Sequence, residues 1–117
     1  MPSEEVGLFA RVTTYELEAD RASEAVDAFA PAIENIKALD GLVDAYFLVE
    51  CGGARALSMT IWESQDAMER SRVAASRARI EAAGAVDVEV LSTYEFEVGI
   101  HGDGTAVQQQ AGALGRG

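Results

Sequence analysis

Four of the chain's nine basic residues fall within one short stretch: Arg70, Arg72, Arg77 and Arg79. Arg70 and Arg77 are seven apart, as are Arg72 and Arg79, so on a helix each pair shares a face. Such pairs could gather an anionic ligand or partner, or they could pair with acidic neighbours in an otherwise negative chain. The other residues able to do chemistry stand alone. Cys51 is the single cysteine, so no intrachain disulfide can form, and beside Gly52-Gly53 it reads as a strand-end packing residue rather than a nucleophile. His101 is the single histidine and lies in a Gly-rich stretch. No His, Cys, Asp or Glu cluster has metal-ligand spacing, so no metal is expected. No Gly-rich loop follows a strand at dinucleotide spacing and no Gly-x-Ser-x-Gly elbow is present, so nicotinamide enzymes and serine hydrolases fit poorly.

The elements that must position these residues follow from periodicity. Residues 7–18 are rich in β-branched and aromatic side chains and read as a strand. Phe9, Arg11, Thr13, Tyr15 and Leu17 share one face, and Leu8, Ala10, Val12 and Thr14 share the other. A helix is predicted from Ser23, as N-cap, to about Leu39. Its apolar face is Val26, Phe29, Ala30, Ile33, Ile36 and Leu39, and Asp40-Gly41 ends it. Pro31 implies a kink or a second helix starting there. Residues 42–51 and 55–63 read as strands joined at Gly52-Gly53 in a hairpin. Leu57, Met59 and Ile61 take one face of the second strand, and Ser58, Thr60 and Trp62 the other.

A second helix, from Ser64 or Asp66 to Gly84, carries the four arginines, and Asp66 with Glu69 has capping-box spacing. Residues 86–98 alternate with a period of two, Val86, Val88, Val90, Ser92, Tyr94, Phe96 and Val98 forming the face expected to be buried. Residues 99–117 hold six of the eleven glycines and Gln108 to Gln110, and form a tail without periodicity that reads as flexible.

This order, β-α-β-β-α-β, gives an α+β ferredoxin-like fold: a four-stranded antiparallel sheet with two helices on one face. Residues 6–98 form the single domain. Apolar residues on both sides of the strands leave the second sheet face too apolar for water, and a homodimer closing sheet on sheet covers it.

The net charge of −11 argues against nucleic acid and against an anionic membrane as partners. No run approaches the roughly 20 apolar residues of a membrane span, and the acidic start has no signal-peptide character, so a cytoplasmic location is expected.

Two stretches carry a resemblance. The run from Leu39 to Tyr46 is similar to the helix end and second-strand entry of the antibiotic-biosynthesis-monooxygenase-like family. The run from Ala56 to Ser64, with its Trp62-Glu63-Ser64 step, resembles that family's third strand leading into the second helix. The resemblance spans residues 6–98 and implies a dimeric α+β barrel with a cavity between helices and sheet in each subunit. It also implies a small aromatic or hydrophobic ligand, and cofactor-independent oxygenation or a purely binding or structural role. Trp62 matches a tryptophan that lies at the pocket in catalytic relatives, or it packs the strand-helix junction. On the pocket side the resemblance places Arg11, Tyr15, Ser58 and Thr60 with it as ligand-binding candidates. Arg11 could stabilise an enolate or phenolate, or pair with an acidic strand residue such as Glu95. The family's haem-degrading branch requires a histidine on the second helix and an asparagine on the first strand. This chain has neither, so no cofactor is expected.

Overall fold

The structure, a computed structural model, describes residues 7–86 and 88–102. The chain runs β1 (Phe9–Glu16), α1 (Ala22–Lys37), β2 (Leu42–Val49), β3 (Arg55–Trp62), α2 (Gln65–Arg70), α3 (Arg72–Ala85) and β4 (Glu89–Glu97). All pairings are antiparallel and the sheet order is β2-β3-β1-β4. The β-α-β-β-α-β ferredoxin-like fold is therefore present, with its second helix in two pieces. The tail from 103 onward lies outside the described residues, as does Asp87.

The helices cover one sheet face. Tyr15, Ala56, Phe47 and Val49 of the sheet pack against Ala25, Phe29 and Ala32 of α1 and Ala82 and Ala83 of α3. A second cluster joins Trp62 to Ile36, Ala67, Met68 and Ala75. The alanines of α3 let that helix approach the sheet closely. Gly41 has φ +87, and a Cβ there would overlap Ala67. The turn thus needs glycine both for its left-handed backbone and for the close approach of α2.

Two local expectations are corrected, and two that left alternatives open are narrowed. Ser23 is not the N-cap: a 3-10 turn at Ala19–Arg21 feeds directly into the helix, which begins at Ala22. Pro31 does not start a second helix, because α1 is continuous through it. Asp27 and Pro31 are both exposed, so the carbonyl that loses its donor faces water. The buried stripe of α1 is Ala25, Phe29, Ala32 and Ile36, while Val26 and Ala30 are exposed on its flank. Helix α2 is capped by Ser64, whose Oγ accepts from Ala67 N at 3.0 Å. Asp66 instead sits in the first turn and pairs with Arg70.

The last strand also departs from its single alternation. A bulge opposite Thr14 and Tyr15 sets Val90 across from Tyr15 and Ser92 across from Thr14. One extra residue reverses the phase. Val88 therefore packs toward the helix side, while Ser92, Tyr94 and Phe96 lie on the outer face beside Thr14, Val12 and Ala10. Tyr94 is 61% and Phe96 51% exposed in the single chain, so this face is not buried within it. Cys51 is likewise exposed, in the hairpin turn and not in a packed strand end.

Candidate functional site

Four cross-strand rows define the helix-facing side of the sheet, the first being Val49, Ala56, Tyr15 and Val90. Phe47, Ser58, Thr13 and Thr93 form the second, and Ala45, Thr60, Arg11 and Glu95 the next. Trp62 and Phe9 lie beyond them. Alternation groups Arg11 with Tyr15, and Ser58 with Thr60 and Trp62; the β1–β3 register brings the two sets into one layer, and all five are buried.

Within that layer the polar groups satisfy one another. Tyr15 Oη lies 2.9 Å from Ser58 Oγ. Trp62 Nε1 donates to Thr60 Oγ1 at 2.9 Å. Burial pushes the Tyr15 phenol up from its ordinary range, against the weaker opposing pull of its Ser58 hydrogen bond. Phe29 meets the Tyr15 ring edge-on at 5.0 Å and stacks on Phe47 at 4.2 Å. Side chains fill this part of the space between helices and sheet.

Arg11 behaves differently. Its guanidinium lies over the Trp62 ring at 5.8 Å. Nη2 donates to the Met68 carbonyl at 2.7 Å and Nη1 to Ser71 Oγ at 3.3 Å. Ser71 Oγ donates to the same carbonyl at 2.7 Å. This is where the helix breaks between α2 and α3: a serine bonding back to a carbonyl three residues earlier loosens the local turn, and a strand arginine seats in the opening. On its other side Arg11 Nε donates to Glu95 Oε2 at 3.0 Å.

Beyond Arg11 the helix cover stops short of β4. A groove of about 420 Å³ lies there, lined by Arg11, Arg72, Ser76, Arg79, Thr93, Tyr94 and Glu95. Arg72 Nη2 reaches Glu95 Oε1 at 2.8 Å. That bond first, and then Arg11, holds the Glu95 carboxyl below the usual carboxylate range. The seven-residue spacing of Arg72 and Arg79 does place both on one face of α3, facing the groove. Arg70 turns elsewhere, to Asp66 and Asp40.

The groove thus gathers Arg11 from the expected residues and adds Arg72, Arg79 and Glu95. Tyr15, Ser58, Thr60 and Trp62 lie behind Arg11 and do not line it. Arg72 and Arg79 were visible in the sequence as a pair, but nothing in a strand-helix pattern says which face meets a gap. Among the described residues no group of three or more His, Cys, Asp and Glu could hold a metal ion. No helix among them is long and apolar enough to cross a membrane.

No family model matches the sequence, and no curated protein matches it. Solved structures do match. A candidate antibiotic biosynthesis monooxygenase from Deinococcus radiodurans superposes with a TM-score of 0.64 at 16% identity, over 82% of this chain and 96% of that one. The monooxygenase ActVA-Orf6 of Streptomyces coelicolor, solved with Nanaomycin D, gives 0.60 at 20% identity, over 86% and 92%. SnoaB, a cofactor-independent oxygenase from Streptomyces nogalater, gives 0.60 at 13%, over 82% and 95%. The chain has their fold. At these identities the likeness establishes architecture, and chemistry must be argued from the groove.

Proposed function

We propose that this chain is an antibiotic-biosynthesis-monooxygenase-like protein that acts as a homodimer and oxygenates a small aromatic molecule in the α3–β4 groove without a cofactor. The observation that carries this reading is the groove itself: an opening between helices and sheet lined by Arg11, Arg72 and Arg79, the first two paired with the one carboxylate, Glu95. Substrates of the anthrone or phenol class fit it chemically. Loss of a proton from such a ring system gives a carbanion or phenolate, and a guanidinium stabilises that charge as it develops. The anion then reduces dioxygen. A ring methylene loses two hydrogens and becomes a carbonyl, with one oxygen atom retained and the other released as water. The substrate supplies all the electrons, so no metal or flavin is required. Arg11 is the expected anion-stabilising contact, while Trp62, Thr60, Tyr15 and Ser58 hold the layer from which it projects.

The outer sheet face supports the homodimer. Tyr46, Met59, Val12 and Tyr94 form one row across all four strands, beside Leu48 and Leu57. Tyr46 and Leu48 are each 43% exposed. A continuous apolar face of this kind calls for a partner surface of the same character.

The test is oxygen uptake with a panel of anthrones and electron-rich phenols. Uptake that Arg11→Met reduces supports the reading, and no uptake across the panel overturns it. One observation favours a second reading, a non-catalytic binding or structural dimer. Trp62, Thr60, Tyr15 and Ser58 are satisfied by their own hydrogen bonds in a filled layer. Ligand binding without oxygen consumption would select that reading.

A further inference from the structure

Among the described residues Arg79 is a largely buried cation whose guanidinium pairs with no carboxylate and keeps its solvent contact through the groove. It is 5% exposed, it lines the groove, and among the described residues no hydrogen bond or ion pair reaches its guanidinium. Its neighbours explain why. The groove's one carboxylate, Glu95, is shared between Arg11 and Arg72. Tyr15, Arg11 and Glu95 act on Arg79 only through space, Arg11 as a like charge. Burial draws the Arg79 pKa down from the ordinary arginine value, yet a guanidinium keeps its proton near neutral pH.

No fully buried side-chain nitrogen or oxygen among the described residues lacks a hydrogen-bond partner, so the Arg79 guanidinium is open to whatever enters the groove. Acidic residues are not scarce in this chain, which has 20 of them against nine basic ones. A groove that holds three guanidiniums and one carboxylate in a protein of charge −11 has a local polarity opposite to that of the whole molecule. The planar fork of an arginine matches a carboxylate with two parallel hydrogen bonds. Ser76 and Thr93 line the same groove and add hydroxyl groups beside it, while Tyr94 adds an aromatic ring.

We propose that Arg79 is the anion-recognition group of the groove, and that its ligand is a small aromatic molecule bearing a carboxylate that pairs with the Arg79 guanidinium. Arg72, whose exposed guanidinium is already paired with Glu95, adds long-range attraction at the mouth. The inference rests on reading the α3–β4 groove as the ligand site, and it narrows the substrate class to arenecarboxylates. A phosphate fits less well: it would need more than one free guanidinium, and Glu95 occupies the other two.

The experiment is a calorimetric titration of the full chain with 2-naphthoate and with its neutral twin, 2-naphthamide. A charge-assisted pair predicts that the carboxylate binds at least about tenfold more tightly. Arg79→Met should erase that preference, and Arg79→Lys should keep the charge but lose the fork and bind at an intermediate level. Arg77→Met, on the exposed side of α3, should leave the preference intact. Equal binding of acid and amide, a preference that survives Arg79→Met, or no binding of either would overturn the proposal. A lower melting temperature for Arg79→Met with naphthoate binding unchanged would make the residue structural and overturn it too. Oxygen uptake keeps the two readings separate. Turnover of uncharged anthrones, with naphthoate and naphthamide bound equally, would sustain the oxygenase reading and sink this one. Naphthoate binding that depends on Arg79, with no uptake from any substrate, would do the reverse.

Discussion

Arg11 and Glu95 stand directly opposite each other on neighbouring strands, with Glu95 Oε2 3.0 Å from Nε and 2.9 Å from Nη2 of Arg11. The two partners are not equally committed. The Arg11 side chain is 1% exposed and the Glu95 side chain 27% exposed. Glu95 also has Arg72, and the Met68 carbonyl also has the Ser71 hydroxyl. Removing Arg11 therefore leaves every remaining group with a partner. Removing the carboxylate leaves a buried guanidinium held only by a carbonyl and a hydroxyl.

The two single variants should consequently differ. Breaking a fully buried pair from one side costs about 3–5 kcal/mol. Because water reaches Glu95, Glu95→Gln should cost less, about 2 kcal/mol, and Arg11→Met about 1 kcal/mol. The double variant should be more stable than the sum of the two implies. Urea denaturation of the four proteins measures this, and a larger loss for Arg11→Met than for Glu95→Gln would refute the asymmetry.

The acid limb of stability should carry the same signature. The Glu95 carboxyl is held low, first by its hydrogen bond from Arg72, and Glu50 is held low by its hydrogen bond from Arg55. A carboxyl whose folded pKa lies below its unfolded one adds stability above the unfolded value, about pH 4. That contribution is lost as the pH falls through the folded value. Stability should thus be flat through neutrality and decline below about pH 5. Glu95→Gln should flatten part of that decline and Glu50→Gln another part, as followed by denaturation at stepped pH. A decline unchanged by both substitutions would place the acid sensitivity elsewhere.

Much of this arrangement was legible in the sequence because alternation is a strong signal. Once residues 7–18 and 55–63 are strands, Arg11 and Tyr15 must share a side, and so must Ser58, Thr60 and Trp62; that the two sides are the same was implied by the family resemblance and follows from the β1–β3 register. The glycines at 41 and 52 were equally readable, because few other residues tolerate their left-handed backbone. The bulge at β4 was not, since an inserted residue leaves the composition of the strand unchanged and alters only its phase. The break at Ser71 was hidden for a different reason. It involves a strand arginine reaching a helix carbonyl 57 positions away, and local propensity carries no trace of that. The groove itself depends on how far α3 extends over β4, a packing outcome with no sequence pattern of its own.

The lone tryptophan gives a spectroscopic check on the filled layer. Trp62 is fully buried, its indole N–H is committed to Thr60, and Arg11 sits over its ring. Its emission should be blue-shifted and resistant to acrylamide. Trp62→Phe should cost about 1–3 kcal/mol, from the lost hydrogen bond and the smaller ring. A ligand in the groove should alter the emission without touching the indole, by shifting the guanidinium above it. Arg11→Met should abolish that response while leaving the emission blue-shifted. A red-shifted, readily quenched tryptophan would contradict the packing.

The outer face of the sheet offers the sharpest test of the homodimer. Met59 is central there: it stands opposite Val12 on one side and Tyr46 on the other, and Tyr94 follows in the same row beyond Val12. In one chain Met59 is only half-buried, so a lysine at this position can extend its ammonium into water at little cost to the isolated fold. In a sheet-on-sheet dimer the same ammonium would be trapped among apolar side chains near the two-fold axis, and the second copy would bring another like charge. Met59→Lys should therefore leave the helical and sheet signals of circular dichroism intact while converting the protein to monomers in sedimentation equilibrium. The melting temperature of the parent should rise with protein concentration, as mass action requires for a folded dimer, and that of the variant should not. If Met59→Lys sediments at the same mass as the parent, the two sheets do not meet at this row, and the apolar face must be covered in another way.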